Sequence, residues 1–175
     1  MKVSNCSLKD VKIIELDIFH DERGLFFESF NRSKFQNIGL SFEFEQDNQS
    51  FSKQGVLRGL HFQTGEFAQG KLVRVISGRV LDVAVDIRKD SATFGKWEFF
   101  DLSGIENKMV YIPEGFAHGF LALEDSIFSY KCTKGYNKSS ESGIMWNDPT
   151  VGITWPKMNY LISEKDLQLK SILDI

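Results

Sequence analysis

The fold class is decided in the middle of the chain, where residues 71–88 read Lys71-Leu-Val-Arg-Val-Ile-Ser-Gly-Arg-Val-Leu-Asp-Val-Ala-Val-Asp-Ile-Arg88. β-Branched residues dominate this stretch, and Ser77-Gly78 interrupts it as hairpin turns interrupt strands. In the second half, apolar residues alternate with Asp82, Ala84 and Asp86, which is the two-residue period of a strand with one apolar face. The stretch therefore predicts two strands joined by a hairpin-type turn.

Similar strand-like segments follow at 97–102, 108–112, 117–123 and 127–133. Turn residues separate them at short intervals, and such spacing favours an antiparallel sandwich or barrel over parallel βαβ units. Helical signals are confined to the flanks, at residues 33–40 and at the capping-box pattern Ser163-Glu-Lys-Asp166. The predicted class is mainly β, an antiparallel barrel with short peripheral helices whose mouth or interior holds a ligand.

Composition limits the classes of partner. The 175 residues suit a single domain spanning 1–175, and a net charge of −3 favours neither nucleic acid nor an anionic membrane surface. The two cysteines form no Cys-x-x-Cys motif, no hydrophobic leader is present, and no apolar run reaches membrane-spanning length. We therefore expect a soluble, cytoplasmic protein.

Two of the three histidines lie in glycine-containing motifs, Gly55-Val-Leu-Arg-Gly-Leu-His61 and Pro113-Glu-Gly-Phe-Ala-His118. Imidazole takes and gives protons near neutral pH, so both are candidates for chemistry. Alternate side chains of a strand share a face, so Arg58 and His61 point the same way only if Gly55 or Gly59 introduces a bend or bulge. The alternative for His61 is a core histidine bonded to a backbone carbonyl.

A metal site is not predicted. The second motif resembles part of a cupin metal motif, but a metal cupin also needs a His-x-His pair, and the partner position of His61 is Gln63. Other candidates are undecided when taken singly. Tyr130 suits a packed barrel position and Asp166 a helix start, while the basic residues are ordinary surface charges by themselves: Arg23, Arg58, Lys71 and Lys165.

Taken together, ordered blocks from Asp21 to Pro156 resemble dTDP-4-dehydrorhamnose 3,5-epimerase, a cupin-like family with a jelly-roll barrel. The blocks are Asp21-Glu-Arg-Gly-Leu-Phe-Phe-Glu28, Gln46-Asp-Asn48, Val56-Leu-Arg-Gly-Leu-His-Phe-Gln63, Gln69-Gly-Lys-Leu-Val-Arg74, Asp82-Val-Ala-Val-Asp86, Thr93-Phe-Gly-Lys-Trp97, Ile112-Pro-Glu-Gly-Phe-Ala-His-Gly-Phe120, Tyr130-Lys131, Trp146-Asn-Asp-Pro149 and Gly152-Ile-Thr-Trp-Pro156.

The resemblance implies a cofactor-free epimerisation at C3 and C5 of dTDP-4-dehydro-6-deoxy-D-glucose, giving dTDP-4-dehydro-L-rhamnose for dTDP-L-rhamnose synthesis. It implies that His61 is the base, oriented by Asp166, that Tyr130 is the acid, and that Lys71 offsets the charge of the enolate. It also implies a set of substrate-binding residues: Arg23, Glu28, Gln46, Asn48, Arg58, His118, Glu141 and Lys165.

The same resemblance implies a homodimer in which an N-terminal region of about residues 1–45 is exchanged, so that Arg23 and Glu28 serve the neighbouring subunit. One departure is that the family often has two adjacent tyrosines where this chain has Gly135-Tyr136. Three rival functions remain: an epimerase of one centre or of another nucleotide-linked 4-keto sugar such as a heptose, a non-catalytic sugar-nucleotide-binding cupin, and a metal-dependent cupin oxygenase.

Overall fold

The computed structural model describes residues 1–41 and 43–175, which form thirteen strands and two short α-helices. The strands are β1 (Lys2–Asn5), β2 (Lys12–Glu15), β3 (Phe19–Asp21), β4 (Gly24–Phe26), β5 (Gln46–Ser52), β6 (Leu57–Gln63), β7 (Lys71–Ser77), β8 (Arg79–Asp86), β9 (Trp97–Ser103), β10 (Lys108–Ile112), β11 (Phe116–Ala122), β12 (Ser126–Cys132) and β13 (Glu141–Gly143). The helices are α1 (Arg32–Asn37) and α2 (Glu164–Leu167).

The strands form two antiparallel sheets that face each other. One sheet has the order β1-β2-β10-β7-β12-β5 and the other β13-β6-β11-β8-β9, while β3 and β4 form a separate hairpin. Side chains from both sheets meet in one apolar cluster, to which Val73, Val80, Phe100 and Phe128 belong. The prediction of a mainly β, cupin-like antiparallel barrel with short peripheral helices is confirmed.

The hairpin predicted at Ser77-Gly78 is wrong, although the break itself is in the right place. Strand β7 belongs to the six-stranded sheet and β8 to the five-stranded sheet, so the chain crosses between sheets at this point. Gly78 has a φ of 80°, and a Cβ there would lie 2.3 Å from the carbonyl oxygen of Asp125. Glycine is therefore required by both the conformation and the close approach of the 125–126 turn.

Strand β8 has the predicted two-residue period, but both of its faces are buried. Val83 and Val85 point outward and pack beneath the C-terminal segment, against residues such as Ile144 and Ile172. The alternate face, with Asp82, faces the other way and is fully buried too. The polar face of this strand is thus turned into the protein instead of toward solvent.

Asp86 shows how a buried carboxylate on this strand is tolerated. It accepts hydrogen bonds from Arg88, Ser91 and Thr93. Burial raises the pKa of Asp86, but these hydrogen bonds outweigh burial and lower the pKa to about 2. The carboxylate is therefore charged and has a structural role.

The two helices are shorter than the sequence pattern predicts. Helix α1 ends at Asn37, just before Gly39 with its φ of 79°, and packs Phe35 on the outer face of the six-stranded sheet. Helix α2 begins at the predicted cap, where the Ser163 hydroxyl accepts the Asp166 N–H at 3.1 Å. In the part of the chain that the structure describes, no helix has the length and apolarity needed to cross a membrane.

Candidate active site

A cavity of about 650 Å³ lies between the two sheets. Its walls include ten of the twelve residues predicted as catalytic or substrate-binding: Gln46, Asn48, Arg58, His61, Lys71, His118, Tyr130, Glu141, Lys165 and Asp166. These residues are scattered over 120 positions of sequence, so their convergence is a property of the sheet topology. The size suits a ligand larger than a monosaccharide.

Strand register determines which side chains line the cavity wall formed by the six-stranded sheet. Tyr130 of β12 lies directly opposite Asn48 of β5, and Cys132 lies between Gln46 of β5 and Lys71 of β7. Residues two apart on a strand share a face, so these five side chains project into one cavity.

The opposite wall depends on an irregularity in β6. The pairing of β6 with β11 shifts register between His61 and Arg58, and Gly59, with a φ of 125°, lies at the shift. A Cβ on Gly59 would lie 2.7 Å from the Cα of Gly119 on the neighbouring strand. Of the two glycines at which a bend or bulge was considered, Gly59 thus lies at the irregularity, and Arg58 and His61 both line the cavity.

His61 is paired with Asp166. Its Nε2 lies 2.7 Å from Asp166 Oδ1, and the other carboxylate oxygen accepts the Gly59 N–H at 3.2 Å. The His61 side chain is 32% exposed, whereas that of Asp166 is 6% exposed. His61 is therefore bonded to a carboxylate and not to a backbone carbonyl, as the alternative of a core histidine had it. Its other nitrogen, Nδ1, is left for a ligand.

Asp166 is held in its charged form. Burial raises its pKa, but the hydrogen bonds from His61, the Gly59 amide and Ser163 outweigh burial and keep the pKa below its ordinary value. A charged carboxylate at this position stabilises an imidazolium on His61. The pair can therefore accept a proton from a ligand in the cavity.

Lys71 is buried, although its residue type alone indicates a surface charge. It is only 8% exposed, and its Nζ donates to the backbone carbonyl of His61 at 3.2 Å. Burial lowers the pKa of Lys71, while the nearby Cys132 and Asp82 raise it. Burial has the larger effect, so the net shift of the pKa is downward. The side chain places a hydrogen-bond donor beside the base.

Tyr130 projects from the wall opposite His61. Its ring lies 6.0 Å from that of Phe128. Burial raises the pKa of Tyr130, as does Cys132, and the guanidinium of Arg58 lowers it. The net shift is upward, so the phenol carries its proton at neutral pH.

The rim of the cavity is closed on one side by a chain of polar contacts. The Tyr136 hydroxyl donates to Glu141 Oε2 at 2.8 Å, and Lys165 pairs with the other oxygen of the same carboxylate. The backbone N–H of Tyr136 donates to Gln46 Oε1 at 2.7 Å. The single tyrosine of Gly135-Tyr136 thus lies at the cavity, and it was not among the predicted site residues.

Two predicted binding residues lie outside the cavity of their own chain. Arg23, in the β3–β4 turn, has a side chain that is 85% exposed and paired with Asp21. Glu28 accepts a hydrogen bond from Asn31 and pairs with Lys34. Within one chain, the structure does not bring these two residues together with the others.

Asp82 was missed by the sequence interpretation. Its Oδ1 lies 2.7 Å from Nε2 of His118, and the residue is fully buried. The alternation of Asp82 with valines indicated only a polar strand face, since nothing local shows that this face lines a cavity.

Residues 1–41 and 43–175 contain no group of three or more His, Cys, Asp or Glu arranged to hold a metal ion.

Comparison with known proteins gives a consistent result. The family model described as dTDP-4-dehydrorhamnose 3,5-epimerase matches residues 5–174. The dTDP-4-dehydrorhamnose 3,5-epimerase of Shigella flexneri is 50% identical over 176 residues, covering 99% of this chain and 97% of its own.

Solved structures agree in fold over the whole chain. The crystal structure of dTDP-4-dehydrorhamnose 3,5-epimerase from Elizabethkingia anophelis NUHP1 is 48% identical, with a TM-score of 0.93 and coverage of 99% of this chain and 97% of that one. A dTDP-6-deoxy-D-glucose-3,5-epimerase from Legionella pneumophila Philadelphia 1, in complex with dTDP-4-keto-L-rhamnose, is 45% identical, with a TM-score of 0.94 and coverage of 98% and 93%. With these matches along its full length, the chain belongs to the dTDP-4-dehydrorhamnose 3,5-epimerase family.

Proposed function

We propose that this protein epimerises dTDP-4-dehydro-6-deoxy-D-glucose at C3 and C5 to give dTDP-4-dehydro-L-rhamnose, for dTDP-L-rhamnose synthesis. The observation that carries the proposal is the placement of the His61–Asp166 pair and the Tyr130 phenol on opposite walls of one cavity, with Lys71 between the sheets. A base and an acid on opposite sides of a sugar are what inversion at carbon requires.

The chemistry needs no cofactor because the substrate's own C4 ketone acidifies the hydrogens on C3 and C5. His61 Nδ1 takes a proton from one of these carbons, and the electron pair of the C–H bond moves to the C4 oxygen as an enolate. The Lys71 ammonium stabilises the enolate oxygen electrostatically. Tyr130 then gives its proton to the same carbon from the other face, as the enolate returns to the ketone. Before the second inversion, His61 loses its proton to solvent and the Tyr130 phenolate takes one from solvent, and repetition at the second carbon then completes the reaction.

The remaining cavity residues suit the nucleotide end of the substrate. Arg58 lines the cavity and is fixed by donating to Ser52 Oγ at 3.1 Å and to the Phe51 carbonyl at 3.3 Å. A guanidinium held in this way matches the oxygens of a diphosphate. We assign further ligand contacts to Gln46, Asn48, His118, Glu141 and Lys165, all at the cavity wall.

The proposal is tested by incubating the protein with dTDP-4-dehydro-6-deoxy-D-glucose in D₂O and following C3 and C5 by NMR. Because each inversion replaces a carbon-bound hydrogen with one from solvent, we expect deuterium and inversion at both carbons. Exchange and inversion at one carbon only would replace the proposal with a single-centre epimerase. A protein that binds the nucleotide sugar without any exchange would be a non-catalytic binder.

We propose further that the single domain of residues 1–175 works as a homodimer in which the β3–β4 hairpin reaches the partner's cavity. The hairpin exposes three large apolar side chains, with Phe19 57%, Leu25 53% and Phe26 66% exposed. Apolar surface of this kind marks a contact with another chain.

The free thiols of Cys6 and Cys132 suit a reducing compartment, and we propose the cytoplasm.

A mixed dimer tests the exchange of the hairpin. One subunit carries His61→Ala and the other carries Arg23→Ala, each with its own affinity tag. If Arg23 serves the partner's site, both defects fall in one cavity and the other cavity is intact, so the mixed dimer should have about half of the wild-type kcat/KM. If Arg23 serves its own chain, both cavities are defective and activity stays at the level of the separate variants, which would contradict the exchange. A fully active monomer would also contradict the exchange of the hairpin.

A further inference from the structure

The cavity contains a second imidazole–carboxylate pair that the proposed reaction does not use. The distance from His118 Nε2 to Asp82 Oδ1 is 2.7 Å, the same as in the His61–Asp166 pair. The two histidines are direct neighbours across β6 and β11. One cavity wall thus carries two such pairs, each with its own carboxylate.

The second pair is buried more deeply than the first. The His118 side chain is 7% exposed and that of Asp82 is 0% exposed, against 32% for His61. The His118 ring also lies nearly parallel to the ring of Phe128, with an interplanar angle of 21° and 6.1 Å between centroids. A ring fixed on two sides presents its free nitrogen in one direction only.

Charge balance determines where the protons are. Burial lowers the pKa of His118, and Lys71 and His61 lower it further, against the opposing effect of Asp82. Burial raises the pKa of Asp82, while His118 and Lys71 lower it. The titratable groups that act on Lys71 are Asp82 and Cys132. The net shifts of the pKa are downward for Lys71 and His118 and upward for Asp82. Because a Lys71 ammonium and an Asp82 carboxylate carry opposite charges that offset each other, we assign these two groups as charged and the buried His118 as neutral.

A neutral His118 beside a carboxylate has only one way to make the 2.7 Å contact. The carboxylate accepts, so Nε2 must carry the proton and donate it. The other nitrogen, Nδ1, then has a lone pair and makes no hydrogen bond to any of the described residues, while His118 lines the cavity. A sugar ring offers hydroxyl donors that such an acceptor binds.

We propose that Asp82 is a positioning residue, whose carboxylate fixes His118 as the Nε2–H tautomer so that Nδ1 accepts a hydrogen bond from a ring hydroxyl of the sugar. This inference rests on the proposed function for the identity of the ligand. Asp82 itself does not touch the sugar and acts through the imidazole. A site that accepts a hydrogen bond from a hydroxyl also rejects a deoxy analogue, since the buried acceptor is then left without a partner.

The tautomer can be measured directly, because the chain has only three histidines. In the protein labelled with ¹⁵N-histidine, assigned with His20→Gln and His61→Gln variants, we expect His118 to show protonated Nε2 and unprotonated Nδ1 at pH 7. An imidazolium, or a proton on Nδ1, would overturn the proposal. This measurement uses the wild-type protein and does not depend on turnover, so it stands even if the D₂O experiment refutes the epimerase.

The variant Asp82→Asn tests the consequence. We expect loss of the fixed Nε2–H tautomer and a fall in kcat of about 10- to 100-fold, the range found when a carboxylate that orients a metal-ligating histidine is removed. The matched control is Asp101→Asn. It removes an exposed carboxylate on β9 that is paired with Arg79. Turnover within about twofold of wild type in D82N, together with a lost tautomer, would refute the role. If D82N does not fold, the wild-type spectrum decides alone.

Discussion

Replacement of His61 by alanine is expected to abolish deuterium incorporation at both C3 and C5. Nδ1 of His61 is the nitrogen that the Asp166 contact leaves free, and the same base serves both carbons in the proposed reaction. Removal of a general base costs typically about 10²- to 10⁴-fold in rate. The measurement is the initial rate of loss of the C3 and C5 proton signals in D₂O.

A second variant separates the loss of the base from the loss of structure. His61→Gln retains an amide N–H that can donate to Asp166, so the carboxylate keeps a partner, but it has no basic nitrogen. We expect H61Q to be as inactive as H61A, with a melting temperature close to that of the wild type. Exchange at either carbon at more than about one tenth of the wild-type rate in both variants would show that another group is the base.

We do not expect His118 to substitute for His61 in these variants. Although it lies beside His61 in the sheet, it is more deeply buried, and burial lowers its pKa. The two motif histidines are therefore unequal. Both are paired with a carboxylate, but His61 is partly exposed, which suits proton transfer, whereas His118 is deeply buried, which suits recognition.

The strands of the barrel could be predicted where their inner faces are apolar. Residues 108–112 coincide with β10, and 97–102, 117–123 and 127–133 fall within one residue of observed strands. Strand β5 was not predicted, because its inward residues are Gln46, Asn48 and Ser50, which line the cavity. Hydrophobic periodicity detects a strand that faces a core and does not detect one that faces a polar cavity.

The same limit applies to the site. The motif around His61 and the glycine at position 59 indicate a bent strand with a candidate functional histidine. The structure has the irregular strand, and His61 lines the cavity. Asp166 carries no such signal, since Ser163-Glu-Lys-Asp166 describes a helix start equally well and Asp166 does lie in that helix. Its role depends on a contact across 105 residues of sequence. Family resemblance supplied this pairing, and local pattern did not.

Replacement of Tyr130 by phenylalanine is expected to suppress inversion while leaving exchange of hydrogen for deuterium. The ring contact with Phe128 is kept, and only the hydroxyl is removed. His61 still takes and returns protons on its own face of the sugar, so recovered substrate gains deuterium with its configuration retained. Loss of the acid should slow product formation by about 10²- to 10⁴-fold.

Tyr160→Phe is the matched control, because the Tyr160 hydroxyl donates to the Pro156 carbonyl outside the cavity. Burial raises the pKa of Tyr130, so the hydroxyl keeps its proton through neutral pH and inversion should persist into mildly alkaline solution. Two results would assign the acid elsewhere: inversion in Y130F at the wild-type rate, or an equal loss of exchange and inversion. The ratio of exchange to inversion is the quantity that distinguishes an acid on the far wall from a residue that merely packs there.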